Sequence, residues 1–410
     1  MIRIEEFKVK NYKNIGEADL KLSNFNLIVG ANNSGKTNFI QTLSFLDFLI
    51  NGDVDVVENI INNSTQYVYN SSVNGVFGII HPKFNFDNIS TEFYLNFFDT
   101  KNEIAYQYFI SLEWNNNGLL PPIGKIKTEY LTQKNIHKTG KATTIFHRNN
   151  NEISGAIKSM GKAGSQLQSH VSYIRILKII PGLVPSEYSS SIEALEAILK
   201  VPIFYFSSIE LSKKINRIDE YGGRTIAYDL SSQIAEIHKN ETDWEFFGKV
   251  LNDLLGITNV MIMSESYGDK PSITIIFSHG ENGMLKRFQD FSNGALLLIA
   301  LLTKILTSKH DIFLIEEPEN SLHPTALLGL LDVMASFHKE KQFIITTHSE
   351  TLVSRAKPEE VIVAKIGEDG MSEISNIQNV RELKRKLRND FINFSDYVFF
   401  GEDETVEIEY

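Results

Sequence analysis

Apolar and polar residues alternate from Ile2 to Val9 and from Glu17 to Leu22, the period of a half-buried strand. Phe25 to Val29 is instead a continuous apolar run, suited to the inside of a sheet. Asn38 to Leu46 then places apolar residues at helical spacing, so three strands precede the first long helix. From about Val68 to Ile153 the pattern is almost wholly strand-like. TEFYLNFF, EIAYQYFISLEW, GKIKTEYL and TTIFHR are separated by polar turns, which predicts an antiparallel β lobe inserted after that helix. Between Lys158 and Leu255 the period lengthens. IEALEAILK and WEFFGKVLNDLLG carry apolar residues at i, i+3, i+4 and i+7 and predict a helical lobe, with Gly222-Gly223 as a loop inside it. Ile273 to Phe277 and Met284 to Phe288 read as a hairpin about the turn His279 to Gly283, after which helices alternate with the buried strands DIFLI and QFIIT. No internal repeat or low-complexity segment interrupts this order, although asparagine is frequent.

Composition adds limits rather than a function. With 410 residues, 42% of them hydrophobic, the chain has material for two or three packed domains. A net charge of -11 gives no general attraction to nucleic acid or to an anionic membrane, so any such contact needs a local basic patch. Zero cysteines exclude a disulfide framework, in keeping with a cytoplasmic protein. The pattern predicts neither a signal peptide nor a transmembrane helix, and so no membrane partner.

The chemistry begins where the third strand breaks. IVGANNSGKTNF, residues 28 to 39, has Gly30 and Gly35 at the spacing of a phosphate-binding loop, with Lys36-Thr37 opening a helix. Glycines let the backbone curl until consecutive N–H groups point inward at phosphates, and the helix N-terminus adds its dipole. The nucleotide would rest on Gly30, Ala31, Asn32, Asn33, Ser34, Gly35, Lys36, Thr37 and Asn38. Lys36 supplies a point charge, and the Thr37 hydroxyl is a ligand for Mg2+.

Three further elements follow. IFLIEEPENSLHP, residues 312 to 324, is a buried strand that delivers Glu316 and Glu317 at its C-terminal end. Glu316 suits Mg2+ and its water shell, and Glu317 suits polarising an attacking water. Upstream, Phe291-Ser292-Asn293-Gly294 opens a strongly apolar helix and offers a second helix N-terminus to anions. Downstream, QFIITTHSETL ends a strand at Thr347 and sets His348 to hydrogen-bond a terminal phosphate. Lys36, Glu317 and His348 are the candidate catalytic residues.

Phosphate loop, signature, acidic strand and switch histidine, in this order and on these elements, resemble the ABC-type ATPases. The fold class implied is α/β: a P-loop ABC-type ATPase head with an antiparallel β lobe inserted after the first helix and a helical signature lobe. The cofactors implied are ATP and Mg2+. In that family two heads sandwich two nucleotides, so the resemblance implies a homodimer or higher homo-oligomer in which Ser292, Asn293 and Gly294 meet the partner head's γ-phosphate and Asn320-Ser321 lies where the heads cross. Lys13 joins the nucleotide-binding residues on the same grounds. Among ABC-type heads, EEPENSLHP with THSETL looks most like the OLD-type (overcoming lysogenization defect) ATPases of bacterial anti-phage defence. FKVKNYKNIGEADLKLSNFNLIVGANNSGKTNFIQTL and the β lobe with Tyr106-Gln107-Tyr108 and Glu129-Tyr130-Leu131 agree. Glu316 stands where the wider family has aspartate, Asn293 where glycine or serine is common, and the Q-loop is sought at Phe206-Ser207-Ser208.

The segments expected are 1–65 and 258–380 as the two parts of the ATPase head, 66–155 as the β insertion, 156–257 as the helical lobe and 381–410 as a basic helix with an acidic tail. In OLD nucleases the ATPase is followed by a Toprim domain, and DYVFFGEDETVEIEY, residues 396 to 410, resembles its opening strand, with Glu402 in the place of the metal-binding glutamate and Asp403 where glycine is expected. The chain then lacks the hundred or so residues such a fold needs, so the expectation is an ATPase without its own nuclease, acting as sensor or scaffold for a separate effector, Toprim-like or another nuclease. RELKRKLRND, residues 381 to 390, gathers five basic residues on a predicted helix: a solvated face, a partner-docking surface or a contact to DNA phosphates. The alternative function is a DNA-maintenance clamp similar to RecF or SMC proteins, although no heptad arm is present.

Overall fold

The computed structural model describes residues 1–55, 57–58, 68–70, 75–77, 90–115, 123–157, 169–180, 182–201, 203–205, 226–267, 270–389 and 392–400. The three strands before the first helix form as β1 (Ile2–Tyr12), β2 (Ile15–Lys21) and β3 (Phe25–Val29), and the helix is α1 (Lys36–Asn51). A short hairpin, β4 (Val68–Asn70) and β5 (Gly75–Phe77), precedes the meander β6 (Ser90–Asp99), β7 (Ile104–Asn115), β8 (Ile123–Asn135), β9 (Thr143–Asn149) and β10 (Glu152–Ser154). Next come α2 (Tyr173–Ile179), α3 (Ser186–Leu199), β11 (Ile203–Tyr205), α4 (Ile226–Ile237), α5 (Glu241–Leu255), β12 (Ile257–Tyr267), β13 (Lys270–His279), β14 (Met284–Lys286) and α6 (Asn293–Thr307). The chain goes on through β15 (Ile312–Glu316), α7 (Pro324–Phe337), β16 (Gln342–Thr347), α8 (Glu350–Arg355), β17 (Val361–Ile366), β18 (Ser372–Asn376), α9 (Val380–Asn389) and α10 (Phe394–Phe400).

The sheet that carries most strands runs β10-β9-β8-β7-β6-β1-β2-β18-β17-β3-β16-β15-β11. The predicted antiparallel lobe is present, and it is continuous with the sheet that carries β3. β6 pairs antiparallel with β1 over Ile2 to Lys10, so one half of the sheet is an antiparallel meander. In the other half, β3 lies parallel to both β16 and β17. β16 is buried along its whole length, as a strand covered on both faces must be.

Two compact units divide the chain: Met1–Ile203 with Asp311–Leu314 and Glu340–Tyr410, and Phe204–His310 with Ile315–Lys339. In the first unit, α1 and the inward faces of β1 and β6 to β9 share one core, with Phe7, Phe39, Phe45, Phe93, Leu95, Tyr106 and Phe146 fully buried or nearly so. Glu129 and Arg148 are both fully buried there. Glu129 has no exposed surface, and its carboxylate accepts from the Tyr173 backbone N–H at 2.7 Å, the Ser172 hydroxyl at 2.6 Å and the Tyr108 hydroxyl at 3.1 Å. Those bonds pin the start of α2 to the meander. Burial, reinforced by the Glu129 charge, holds the Tyr108 phenol well above its usual range.

The second unit has its own core, in which Leu230, Ile234, Phe247, Leu251, Ile257, Phe277, Ile299, Leu302 and Val333 come from α4, α5, β12, β13, α6 and α7. Helix α5 starts where the Asn240 side chain accepts from Asp243 N–H at 3.3 Å and stops at Gly256, whose φ of 65° a side chain would oppose. The hairpin of β13 and β14 forms, but β14 ends at Lys286. Phe288 to Asp290 instead make a short 3-10 turn, fixed because Arg287 N–H donates to the Asp290 carboxylate at 2.7 Å.

Residues 396 to 400, read from the sequence as the opening of a strand, belong to α10 instead. Asp396 sits in its first turn, where a carboxylate favours the helix, and accepts from the Asn393 amide at 3.3 Å. The Q-loop candidates Phe206-Ser207-Ser208, the loop Gly222-Gly223 and the tail residues Glu402 and Asp403 lie outside the described residues. No helix among the described residues is long and apolar enough to cross a membrane.

Candidate nucleotide site

In the first unit β3 ends at Val29, paired with Thr347 of β16 and Val363 of β17, and the next residue is Gly30. A Cβ on Gly30 would stand 2.2 Å from the Ala364 carbonyl oxygen, so only glycine lets the chain leave the sheet so close to β17. Asn33 (φ 70°) and Gly35 (φ 90°) then curl the backbone through the left-handed region. At Gly35 a Cβ would also lie 2.8 Å from the Ser372 side chain. Helix α1 starts at Lys36 immediately after that turn.

Lys36 is only 4% exposed. Its ammonium donates to the Gly30 carbonyl at 2.7 Å and the Ala31 carbonyl at 2.9 Å, which draws the loop into a ring around its own cation. Ala31, Asn32, Asn33 and Thr37 are exposed around the mouth of that ring. Ser34 is buried, and its hydroxyl has no hydrogen-bond partner among the described residues.

Asn14, which the sequence reading passed over, holds the loop from outside. Its amide donates to the Asn33 carbonyl at 3.2 Å and the Ser372 hydroxyl at 2.9 Å, and its oxygen accepts from the Asn38 amide at 2.6 Å. The signal available was a polar residue in the tight β1–β2 turn beside Lys13, whose φ is 52°. Lys13 donates to the Gln41 side chain on α1 at 2.8 Å and lies 5.5 Å from the Tyr12 ring centroid. Burial lowers its ammonium to about 8. His348, also in the first unit, follows Thr347, so it leaves β16 at the level where Gly30 leaves β3. It is exposed, and the next residue is fixed because Ser349 N–H donates to the Thr347 hydroxyl at 2.9 Å.

The second unit brings together the acidic turn and the signature. Glu316 closes β15 after four buried residues. Glu317 has φ 43° and ψ 60°, a left-handed conformation for a residue with a side chain and one that precedes proline. That conformation costs on the order of 1–2 kcal/mol and is typical of functional turns. The Glu317 carboxylate accepts from the Asn320 amide at 2.8 Å, and its carbonyl accepts from Asn320 N–H at 3.1 Å.

Ser292 caps α6, its hydroxyl accepting from Ala295 N–H at 3.3 Å. Asn293 is the first helical residue, and Gly294 is buried. A Cβ on Gly294 would lie 2.0 Å from the Ser321 carbonyl oxygen. The start of α6 is therefore packed directly on the turn that follows the acidic strand.

Thr37 in the first unit and Glu316 in the second each carry a hard oxygen donor of the kind Mg2+ takes. No group of three or more His, Asp or Glu side chains fit to hold a metal occurs among the described residues.

Similar solved structures include the Smc head bound to the C-winged helix domain of ScpA, 16% identical over 93% of this chain and 99% of that one, with a TM-score of 0.48. Another is the Smc head domain with an extended coiled coil bound to the C-terminal domain of ScpA from Pyrococcus furiosus, 15% identical over 95% and 100%, with a TM-score of 0.45. A third is the SMC head domain from Thermotoga maritima, 13% identical over 92% and 99%, at 0.42. No curated protein matches the chain. Residues 25–354 match one protein-family model, "AAA domain, putative AbiEii toxin, Type IV TA system". That stretch runs from the first residue of β3 to the helix after His348, and the chain belongs to this AAA-domain family.

Proposed function

We propose that this protein is an ATP-driven switch: ATP on the Lys36 loop closes two heads of the same chain on each other, and closure or hydrolysis controls a partner effector, a nuclease, in defence against phage. The observation that carries this reading is the loop itself. Lys36 is already buried among carbonyls, and the ring is braced by Asn14 and seated on β17 through Gly30. Such a site is organised for phosphate before any phosphate arrives.

In this account the loop N–H groups and Lys36 bind and orient the phosphates, and Thr37 and Glu316 are the residues that would hold Mg2+, which would supply charge neutralisation. Glu317 takes the proton of the attacking water, and His348 hydrogen-bonds the terminal phosphate. The strained Glu317 backbone and the Asn320 amide aim the carboxylate. Capping α6 uses only an acceptor lone pair of the Ser292 oxygen, so its hydroxyl proton can still donate to a partner's phosphate beside the helix N-terminus. The toxin–antitoxin character of the matching family supports a switch acting on a partner.

The test is the mass of the Glu317→Gln variant by light scattering with Mg2+, with and without ATP. ATP-dependent doubling of mass is expected, because the variant binds but turns over slowly. One unchanged mass in both conditions would count against head pairing. Copurification of a nuclease encoded beside the gene, and loss of phage resistance in Lys36→Ala cells, are the outcomes expected for the defence role.

A further inference from the structure

Outside the nucleotide machinery, the described surface carries one strongly charged face that the proposed function does not use. Helix α9 buries Leu383, with Leu387 half-buried on the same side. On the opposite side Arg381, Lys384, Arg385 and Arg388 are all exposed. Their spacing, i, i+3, i+4 and i+7, confines them to an arc of about 100° and a length of about 10 Å on a helix. They line a concavity of about 620 Å3, together with Glu359, Val380 and Asn389.

One of the four cations is already answered, since Lys384 donates to Glu359 at 2.5 Å. Among the described residues no carboxylate lies within ion-pair distance of Arg381, Arg385 or Arg388. Three guanidiniums thus stand side by side in a chain whose net charge is -11, where acids outnumber bases 51 to 40. A cluster that opposes the charge of the whole molecule is a local exception to its long-range repulsion of polyanions.

We infer that this face of α9 is a nucleic-acid site that grips the phosphodiester backbone. The chemistry of the lining selects that occupant over an acidic protein. Protein–protein patches centre on aromatic or aliphatic anchors and deplete charge at their core. Among the described residues Val380 is the single apolar side chain lining the concavity and no aromatic lines it. Arginine, unlike lysine, presents a planar fork that takes two phosphate oxygens at once. A duplex presents about one phosphate per 1.7 Å of its axis, so about 10 Å of helix faces roughly six phosphates. The contact reads no sequence, because none of these side chains is held to a base-reading geometry. The site stands apart from the reading of the Lys36 loop, and either holds if the other fails.

The experiment is fluorescence anisotropy of the full chain with a labelled 30-base-pair DNA duplex, the matching single strand and an RNA of the same sequence, from 50 to 200 mM salt. The wild type is expected to bind in the micromolar range at 50 mM, with affinity falling steeply as salt rises. In Arg381→Gln/Arg385→Gln/Arg388→Gln the slope of log K against log salt is expected to shrink by about 2 to 3, since each duplex phosphate contact contributes about 0.9. Affinity at 50 mM should drop at least tenfold, with ATP turnover and melting temperature unchanged. A control that removes three exposed lysines of the meander, Lys101→Gln/Lys138→Gln/Lys141→Gln, should bind like the wild type. No binding at 50 mM, an unaltered slope in the arginine variant, an equal loss in the lysine control, or displacement by polyglutamate at equal charge would each overturn the proposal. The ratio of duplex, single-strand and RNA affinities says which backbone the face fits.

Discussion

The phosphate loop and the acidic turn both leave the C-terminal end of a buried strand, yet they meet the problem of polar groups at a sheet edge in opposite ways. The loop makes its left-handed curl at Asn33 and Gly35, the residue types that tolerate it best, and satisfies the Gly30 and Ala31 carbonyls with its own lysine, so it is self-bonded and ready to exchange partners. The acidic turn places a glutamate, not a glycine, in the left-handed region and holds it there with Asn320 below and the packed start of α6 beyond. The first arrangement suits binding, where the protein trades one set of hydrogen bonds for another. The second stores strain to aim a single carboxylate, which suits catalysis.

That contrast is sharpened most by separating binding from turnover. Glu317→Gln keeps the backbone strain but loses the base, and turnover is expected to fall by about 100- to 10,000-fold, the usual contribution of a positioned acid–base group, with ATP affinity within a few fold. Glu317→Gly should lose turnover equally and yet melt at a higher temperature than Glu317→Gln, because glycine relieves the left-handed backbone. If Glu317→Gly melts lower, the turn is not strained.

The next largest effect concerns Gly294. Its Cβ position lies 2.0 Å from the Ser321 carbonyl, so Gly294→Ala must push α6 off the acidic turn. Overpacking of this kind costs about 1–3 kcal/mol. We expect calorimetry to show a melting temperature lower by several degrees and turnover to fall, with ATP affinity at the loop unchanged. A loss of ATP affinity matching the loss of turnover would mean that the loop and the turn are not separable in this way.

Much of this was legible because the motifs are local. Strand, glycine loop and helix lie within residues 25 to 51, and the two glutamates follow four apolar residues directly. What stayed hidden depends on pairings between distant segments. Asn14 braces the loop only because β18 lies parallel to β2, which brings Ser372 opposite Ile15 across more than 350 residues of sequence. The requirement for glycine at position 30 comes from β17 in the same way. The meander was readable as strands, but its continuity with the ATPase sheet rests on β1 pairing with β6 some 80 residues away. Glu129, an acid in an alternating strand, reads as solvent-facing, and only its three bonds to Ser172, Tyr173 and Tyr108 reveal it as a buried anchor. Residues 396 to 400 were misread because an aromatic run fits a strand or a short helix equally well.

The smallest expected effect is electrostatic. Burial lowers Lys13 to about 8, so its charge is half lost near that pH in the empty protein. If it faces bound phosphate, nucleotide favours the charged form, and ATP affinity should fall as pH rises through 8, by less than tenfold per unit. Lys13→Arg, which stays charged, should flatten that fall. In the empty protein the sign is reversed for stability: the unfolded chain holds the proton up to 10.5, so stability rises from about pH 8 toward 10.5. A pH profile of ATP affinity that is the same in both proteins would remove Lys13 from the site.

The central claim is that the loop around Lys36 is where ATP binds. Titration calorimetry of ATP with Mg2+ into wild type and Lys36→Ala at pH 7 tests it directly. Loss of a charge-assisted contact of about 3 kcal/mol predicts a drop in affinity of about 100-fold. Equal affinity in the two proteins, with the variant folded, would contradict the account.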